Sequence, residues 1–139
     1  MSFEKIYELI REFKDNVDWK EISKKDLSED FIREFRDNVD WNEISKKKLS
    51  IKFIREFRDK INWKYISKKE LSEELFIEFI REFKDKVDWE YISSYQKLSE
   101  EFIREFRDNV DWNEISLNRT LSEEFVRDFR NKLFWDEYI

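Results

Sequence analysis

Asp40 and Glu43 lie three residues apart and, taken alone, read as an acid and base pair. The same spacing recurs at Asp18/Glu21 and at Asp111/Glu114. Recurrence points away from catalysis. An Asp at a helix start accepts from unpaired first-turn amides, and a Glu three residues later completes a capping box. A second acidic set, Glu29 and Asp37 with Arg33 between them, is an i, i+4 ladder along a helix face. A hard cation needs several oxygens converging on one point instead. The chain contains no His and no Cys, which removes an imidazole base, a thiol nucleophile, a disulfide framework and the usual zinc sites. It contains no Gly and no Pro, which removes Gly-rich phosphate loops and Pro-rich linkers. The expectation is a protein that is not an enzyme, with no catalytic, cofactor-binding or metal-binding residues.

Three residue types are suited to binding. Lysines cluster at 24–25, 46–48 and 68–69, and Lys24, Lys46, Lys47 and Lys68 are the candidates to track a phosphate backbone along one edge. The plainer reading is that cations suit a helix C-terminus. Charge weighs against nucleic acid: residues 1–70 carry 18 basic and 16 acidic residues, a net of +2, whereas residues 71–139 carry 10 and 18, a net of −8. Tyr65, Tyr91 and Tyr95 are absent from most copies of the repeat described below and cluster near its midpoint. Tyr is favoured at interfaces, so they are candidate partner-binding residues; filling a wider gap beside a longer helix is the equal alternative. The tryptophans suggest base stacking, but their fixed place in each copy fits core packing better.

These residues are positioned by a repeat. Trp19, Trp41, Trp63, Trp89, Trp112 and Trp135 fall 22, 22, 26, 23 and 23 residues apart, and each closes a version of the phrase LSEEFIREFRDNVDW. A short constant period marks a stack of similar supersecondary units. Six repeats follow, at about 2–26, 27–48, 49–70, 71–97, 98–120 and 121–139. In the second, Ser28 is a helix cap, Leu27 and Ile32 form a hydrophobic staple, and Phe31, Ile32, Phe35 and Val39 share one helical face. This helix is predicted to run to about Asn38. Asp40 then caps a second, shorter helix over about Trp41–Lys47. The first helix of repeats one and four has four extra residues, about one turn. Repeats one and four also share REFKD, and repeats two and five share DNVDWNEIS, which suggests duplicated halves 1–70 and 71–139 with a seam near Leu71. The predicted fold is an all-α solenoid of six helix-turn-helix repeats, long helix then short, in one domain over 1–139.

No apolar run exceeds three residues, as at Leu75–Phe76–Ile77, so no membrane span is expected. The start MSFEKIYELI has charges within its apolar stretch and does not read as a signal peptide. With no Cys, a reducing, intracellular setting fits. Aromatic residues make up 18% of the chain, too many for a disordered segment. In the sixth repeat Phe134 stands where the others have Asp or Asn, and with Trp135 and Tyr138 it is the candidate surface for self-association.

The phrase L-S-E-E-F-I-R-E-F-x-D-x-V-D-W-x-x-I-S, matched from Leu9 to Trp135, resembles short α-helical tandem repeats in uncharacterised proteins of giant DNA viruses. The resemblance implies a viral protein made in the host cytoplasm and brings no activity or site residue with it. Function is therefore expected from architecture. An extended helical stack suits a protein-protein interaction or scaffold module, with an unknown protein partner. Binding of nucleic acid or another polyanion along the Lys edge of residues 1–70 is the alternative, and a self-assembling structural protein is a third. If the tryptophans lie between repeats, Trp63→Ala should lower unfolding stability by about 3–5 kcal/mol in a urea titration.

Overall fold

The helices begin where Ser and Asp stand ready to cap them. The computed structural model describes residues 2–68, 73–118 and 120–133. The seam near Leu71 and Phe134, Trp135 and Tyr138 lie outside them. Among the described residues the chain is all-α, with eleven helices. These are α1 (Phe3–Glu12), α2 (Trp19–Ser23), α3 (Glu29–Glu34), α4 (Trp41–Ser45), α5 (Ile51–Glu56), α6 (Trp63–Ser67), α7 (Glu73–Phe83), α8 (Trp89–Tyr95), α9 (Glu100–Glu105), α10 (Trp112–Asn118) and α11 (Glu123–Asp128). The first, second and fifth repeats each supply one Ser-capped helix and one Asp-capped helix. In α3, Ser28 Oγ accepts from the Phe31 amide, and in α4, Asp40 accepts from the Asn42 and Glu43 amides. Two compact units result, Met1–Asn62 with α1–α5 and Trp63–Ile139 with α6–α11. Within each, repeated helix pairs pack on their neighbours as in an α-solenoid. No described helix is long and apolar enough to cross a membrane.

The first helix is shorter than its apolar period suggests. α3 closes at Glu34, and residues 35–38 continue as turns, with the Phe35 amide on the Phe31 carbonyl and the Asn38 amide on the Phe35 carbonyl. The whole first arm is still the longer one. α1 and α7 run for 10 and 11 residues where α3, α5, α9 and α11 run for six, in line with the added turn in repeats one and four.

The expected apolar face forms the core: Phe31, Ile32, Phe35, Val39 and Ile44 are all buried, as are their counterparts in the third, fourth and fifth repeats, while in the sixth Phe125 and Leu133 are buried and Val126 and Phe129 half-buried. The five described tryptophans, Trp19, Trp41, Trp63, Trp89 and Trp112, are half-buried, not part of the sealed core. Trp41, Trp63, Trp89 and Trp112 each lay the ring on the Phe pair of the following repeat, as Trp41 does on Phe53 and Phe57 at 6.1 and 5.0 Å, and Trp89 on Phe102 and Phe106 at 6.3 and 5.5 Å, while Trp19 meets Phe35. The indole N–H explains the remaining exposure. It must stay at the edge to donate to a turn carbonyl five residues back, Arg36 for Trp41 and Lys84 for Trp89. A half-buried indole puts Trp63→Ala at the lower end of the range given above.

Of two expected local pairings, one is displaced and the other extended by contacts between repeats. The capping box at Asp40 forms only its forward half. The Asp40 amide is taken by Ser23 Oγ of the preceding repeat at 2.8 Å, and Glu43 turns to Lys46 at 3.2 Å. The Glu29–Arg33–Asp37 ladder is likewise drawn outward. Glu29 lies 3.9 Å from Arg33 and accepts from both the amide and the hydroxyl of Ser50 at 2.8 Å. Arg33 donates to Glu56 at 2.8 Å, and Asp37 faces Lys60 at 4.0 Å. A charged side chain with a choice of partners takes the one that also closes a gap between repeats.

The buried serines were not singled out in the sequence, and they carry the polar contact between repeats. Ser23, Ser45, Ser67, Ser93 and Ser116 are 0–3% exposed. Ser45 Oγ donates to the Trp41 carbonyl at 2.6 Å and accepts from the Asn62 amide at 2.9 Å. Ser67 does the same with Trp63 and Asp88, at 2.6 and 2.8 Å. Ser45→Ala would strand a shielded backbone amide, which costs about 1–3 kcal/mol. The urea midpoint is expected to fall accordingly. Ser94→Ala, which removes an exposed hydroxyl bonded only within its own helix to Glu90, should leave the midpoint nearly unchanged.

Candidate functional site

One face of the second unit breaks the repeat. In α2 and α4 the third and sixth positions hold Glu and Lys, which pair as Glu21–Lys24 at 3.0 Å and Glu43–Lys46 at 3.2 Å. In α6 the same two positions hold Tyr65 and Lys68, and in α8 the third position holds Tyr91. With Tyr in place of Glu, the Lys68 ammonium turns over aromatic faces. It lies 4.2 Å from the centre of the Tyr91 ring, 5.8 Å from Tyr95 and 6.0 Å from Tyr65. Lys64 approaches the Tyr91 ring at 5.0 Å. Such contacts draw a cation toward the negative face of the ring. Tyr91 and Tyr95 stack with centroids 5.3 Å apart and planes inclined by 15°, one helical turn apart. Tyr91 is half-buried, whereas Tyr95 is 69% exposed.

The electrostatics are local. The Tyr91 hydroxyl is held below its ordinary pKa because Lys64 hydrogen-bonds to it and favours the phenolate. The Lys64 ammonium is held above its ordinary pKa by the same bond. Beside the stacked rings, an open groove is lined by Glu90, Tyr91, Ser94, Tyr95 and Glu114. Leu117, one turn beyond Glu114 on α10, is 56% exposed. The face thus offers two stacked phenols, two ammonium groups on one side and two carboxylates on the other.

The structure brings Tyr65, Tyr91, Tyr95 and Lys68 together in this cluster and places the other candidate lysines in the first unit. Lys24 and Lys46 sit in the ion pairs above. Lys47 turns inward, its ammonium donating to the Lys25 carbonyl, and partial burial pushes its pKa down. A shallow groove runs past Lys24, Lys47 and Lys48 to Leu27 and Leu49. Sequence reasoning missed Lys64, Glu90 and Glu114. The available signal was the exchange of Glu for Tyr at one repeat position, which leaves neighbouring charges to regroup. Compared with known proteins, the chain matches no family model, no curated protein and no solved structure.

The Tyr91–Lys64 pair gives a pH signature. As pH rises, Tyr91 should ionise below the ordinary tyrosine range, seen as an early appearance of tyrosinate absorbance. A lowered folded-state pKa means that the pair's contribution is lost below that pKa and fully present above the ordinary tyrosine value, until Lys64 loses its proton. Lys64→Met should merge the early step with the rest, and Tyr91→Phe should delete it.

Proposed function

We propose that this is a non-enzymatic helical-repeat protein that serves as a protein-protein interaction or scaffold module, with the Tyr65/Tyr91/Tyr95 and Lys64/Lys68 face as its docking surface. The observation that carries the reading is the exchange of Glu for Tyr in two adjacent repeats, which gathers stacked, partly exposed rings on an otherwise charged surface. Tyr gives large contact area at low entropic cost, and rings already stacked lose little freedom on binding. The partner's complementary chemistry is an acidic side chain beside an aromatic or aliphatic one. The acid would meet Lys64 and Lys68, and the apolar group would meet Tyr95 and Leu117.

Binding of nucleic acid or another polyanion along residues 1–70 has less support. Lys24 and Lys46 are engaged by their own helices' glutamates and Lys47 by a backbone carbonyl, which reduces the charge offered to phosphates. An intracellular setting belongs to the same proposal and rests on the chain's lack of cysteine; the giant-virus resemblance would make it the host cytoplasm.

Affinity capture from the native cell tests this, comparing the wild type with a Tyr95→Ala, Lys68→Glu variant and with a Lys24→Glu, Lys46→Glu variant. A partner retained by the wild type and the second variant but lost by the first is expected. Equal retention by all three would reject this face. Tight, sequence-dependent DNA or RNA binding at physiological salt, lost in the second variant, would favour the polyanion reading.

A further inference from the structure

Arg33 and Arg104 are held in the same way, each between an aromatic ring and a carboxylate of the following repeat. Arg33 lies 5.5 Å from the centre of the Phe53 ring and donates to Glu56 at 2.8 Å. Arg104 lies 5.2 and 5.3 Å from the centres of Phe125 and Phe129 and donates to Asp128 at 2.8 Å. A flat guanidinium suits such a place. Its face lies on the ring while its N–H edge reaches the acid.

The groove beside Tyr91 and Tyr95 sets out the same two components on the surface. Glu90 and Glu114 supply carboxylates, and the stacked phenols supply rings. None of the described residues lining it is basic. The repeat shows how this arises. In α2 and α4 the sixth position holds the Lys that pairs with the Glu of the third. In α8 the sixth position is Ser94, and in α10 it is Leu117. Glu90 stands at the second position, where the other described short helices have Lys20, Asn42, Lys64 and Asn113. Two neighbouring helices have thus exchanged cations for neutral residues and gained an acid at one place. The ring pair already accepts a cation from the α6 side, where the Lys68 ammonium lies 4.2 Å from the centre of Tyr91. Tyr95 lines the groove and is 69% exposed, so its ring offers surface to an incoming group. The groove, about 390 Å³, has room for one long side chain.

We propose that this groove takes an arginine side chain of the partner protein, with the guanidinium on Tyr95 and against Glu90 and Glu114 and the aliphatic stem along Leu117. The inference rests on the docking-face reading above and narrows the partner's aliphatic group to an arginine beside its acid. Charge favours it locally through the two groove carboxylates, and at longer range through the net charge of −8 over residues 71–139. Lysine fits less well, because a compact ammonium cannot stack on a ring and present a flat edge to two acids at once.

Titration of the isotope-labelled full chain with N-acetyl-arginine methylamide, followed by amide NMR shifts, tests this. The comparison probes are the citrulline analogue, which keeps the shape and loses the charge, and the lysine and aspartate analogues. The arginine probe should shift the amides of residues 90–95 and 114, with affinity of millimolar order for a single side chain. Citrulline should bind about tenfold more weakly, since both ring and carboxylates act on the charge. Glu90→Gln should weaken arginine binding about two- to fivefold, as loss of an exposed ion pair does. Tyr95→Ala should weaken it by a similar factor, about two- to fivefold. Both side chains are exposed, and the unshifted remainder of the spectrum checks that each variant stays folded. No shift at these residues with the arginine probe would overturn the proposal. So would equal binding of arginine and citrulline, or stronger shifts of the same amides by the aspartate probe. A silent arginine probe together with a partner lost on Tyr95→Ala, Lys68→Glu would leave the docking face standing and remove the arginine from it. Arginine binding with capture unaffected would support the groove and reject the face as the captured partner's site.

Discussion

The structure depends on how a chain without Gly or Pro turns between short helices and still finds a partner for the amide that opens a short helix. Its answer is a buried hydroxyl. The last residue of the short helix, Ser23, Ser45 or Ser67, lies against the next repeat's turn and accepts from the amide that starts the next short helix. Ser45 and Ser67 also donate to the carbonyl four residues back, so donor and lone pair are both used. A methyl group at this place would leave an amide unpaired in an apolar seam, and a larger side chain would not fit between repeats that touch through phenyl rings. The hydroxyl therefore fixes both the spacing of repeats and the direction in which each short helix sets out.

The apolar and ionic steps follow from that spacing. With the helix starts held, the Trp of one repeat lies over the Phe pair of the next and its N–H reaches back to its own turn. The same registration brings an Arg beside the next repeat's acid, and Arg33 and Arg104 also lie over Phe53 and Phe125 at 5.5 and 5.2 Å. Glu34 and Glu105 are held below the usual carboxylate range by Arg11 and Arg81, and Glu100 by the hydroxyl and amide of Ser122. Their contribution is present above the ordinary carboxylate pKa and fades as pH falls through the lowered values. Glu34 and Glu105 are exposed and Glu100 is half-buried, so acid loosens the outer edge of each step and leaves the rings and the buried hydroxyls in place.

How much of this was legible in the sequence follows the range of each interaction. Caps at Ser28 and Asp40, the apolar face of Phe31 to Val39 and the added turn in α7 are local, and periodicity exposes them directly. The length of α3 was overestimated because an apolar period of 3.6 persists through a turn that is no longer helical. The Glu29–Arg33 rung forms as read, at 3.9 Å, but the further partners of Glu29 and Arg33 in the next repeat, and the Ser23 hydroxyl that displaces Glu43 from the capping box, were missed because a pair across repeats has no local signature. The serines were invisible for a related reason: a small polar residue at a helix end reads as solvated until the next repeat buries it. At the candidate site, Tyr65, Tyr91 and Tyr95 stood out as departures from the repeat, but what they gather, Lys64 and the groove acids, depends on neighbouring helices.

Where function can be written into such a chain follows from which contacts hold the stack. The Ser, Trp and Phe positions have two jobs each, and a change at any of them disturbs two repeats. The third and sixth positions of the short helix have none of that burden. Their Glu–Lys pair at 21/24 is on the surface, where an ion pair contributes little to stability, and the pair at 43/46 keeps its Lys at the surface while Glu43 is more covered. Replacing Glu by Tyr there forfeits little, and the aromatic ring gives the neighbouring Lys another partner. The second unit does this twice in succession, at Tyr65 and Tyr91, and adds Tyr95 one turn on. Rings placed at positions the fold leaves free can be tuned to a partner without altering the scaffold that holds them.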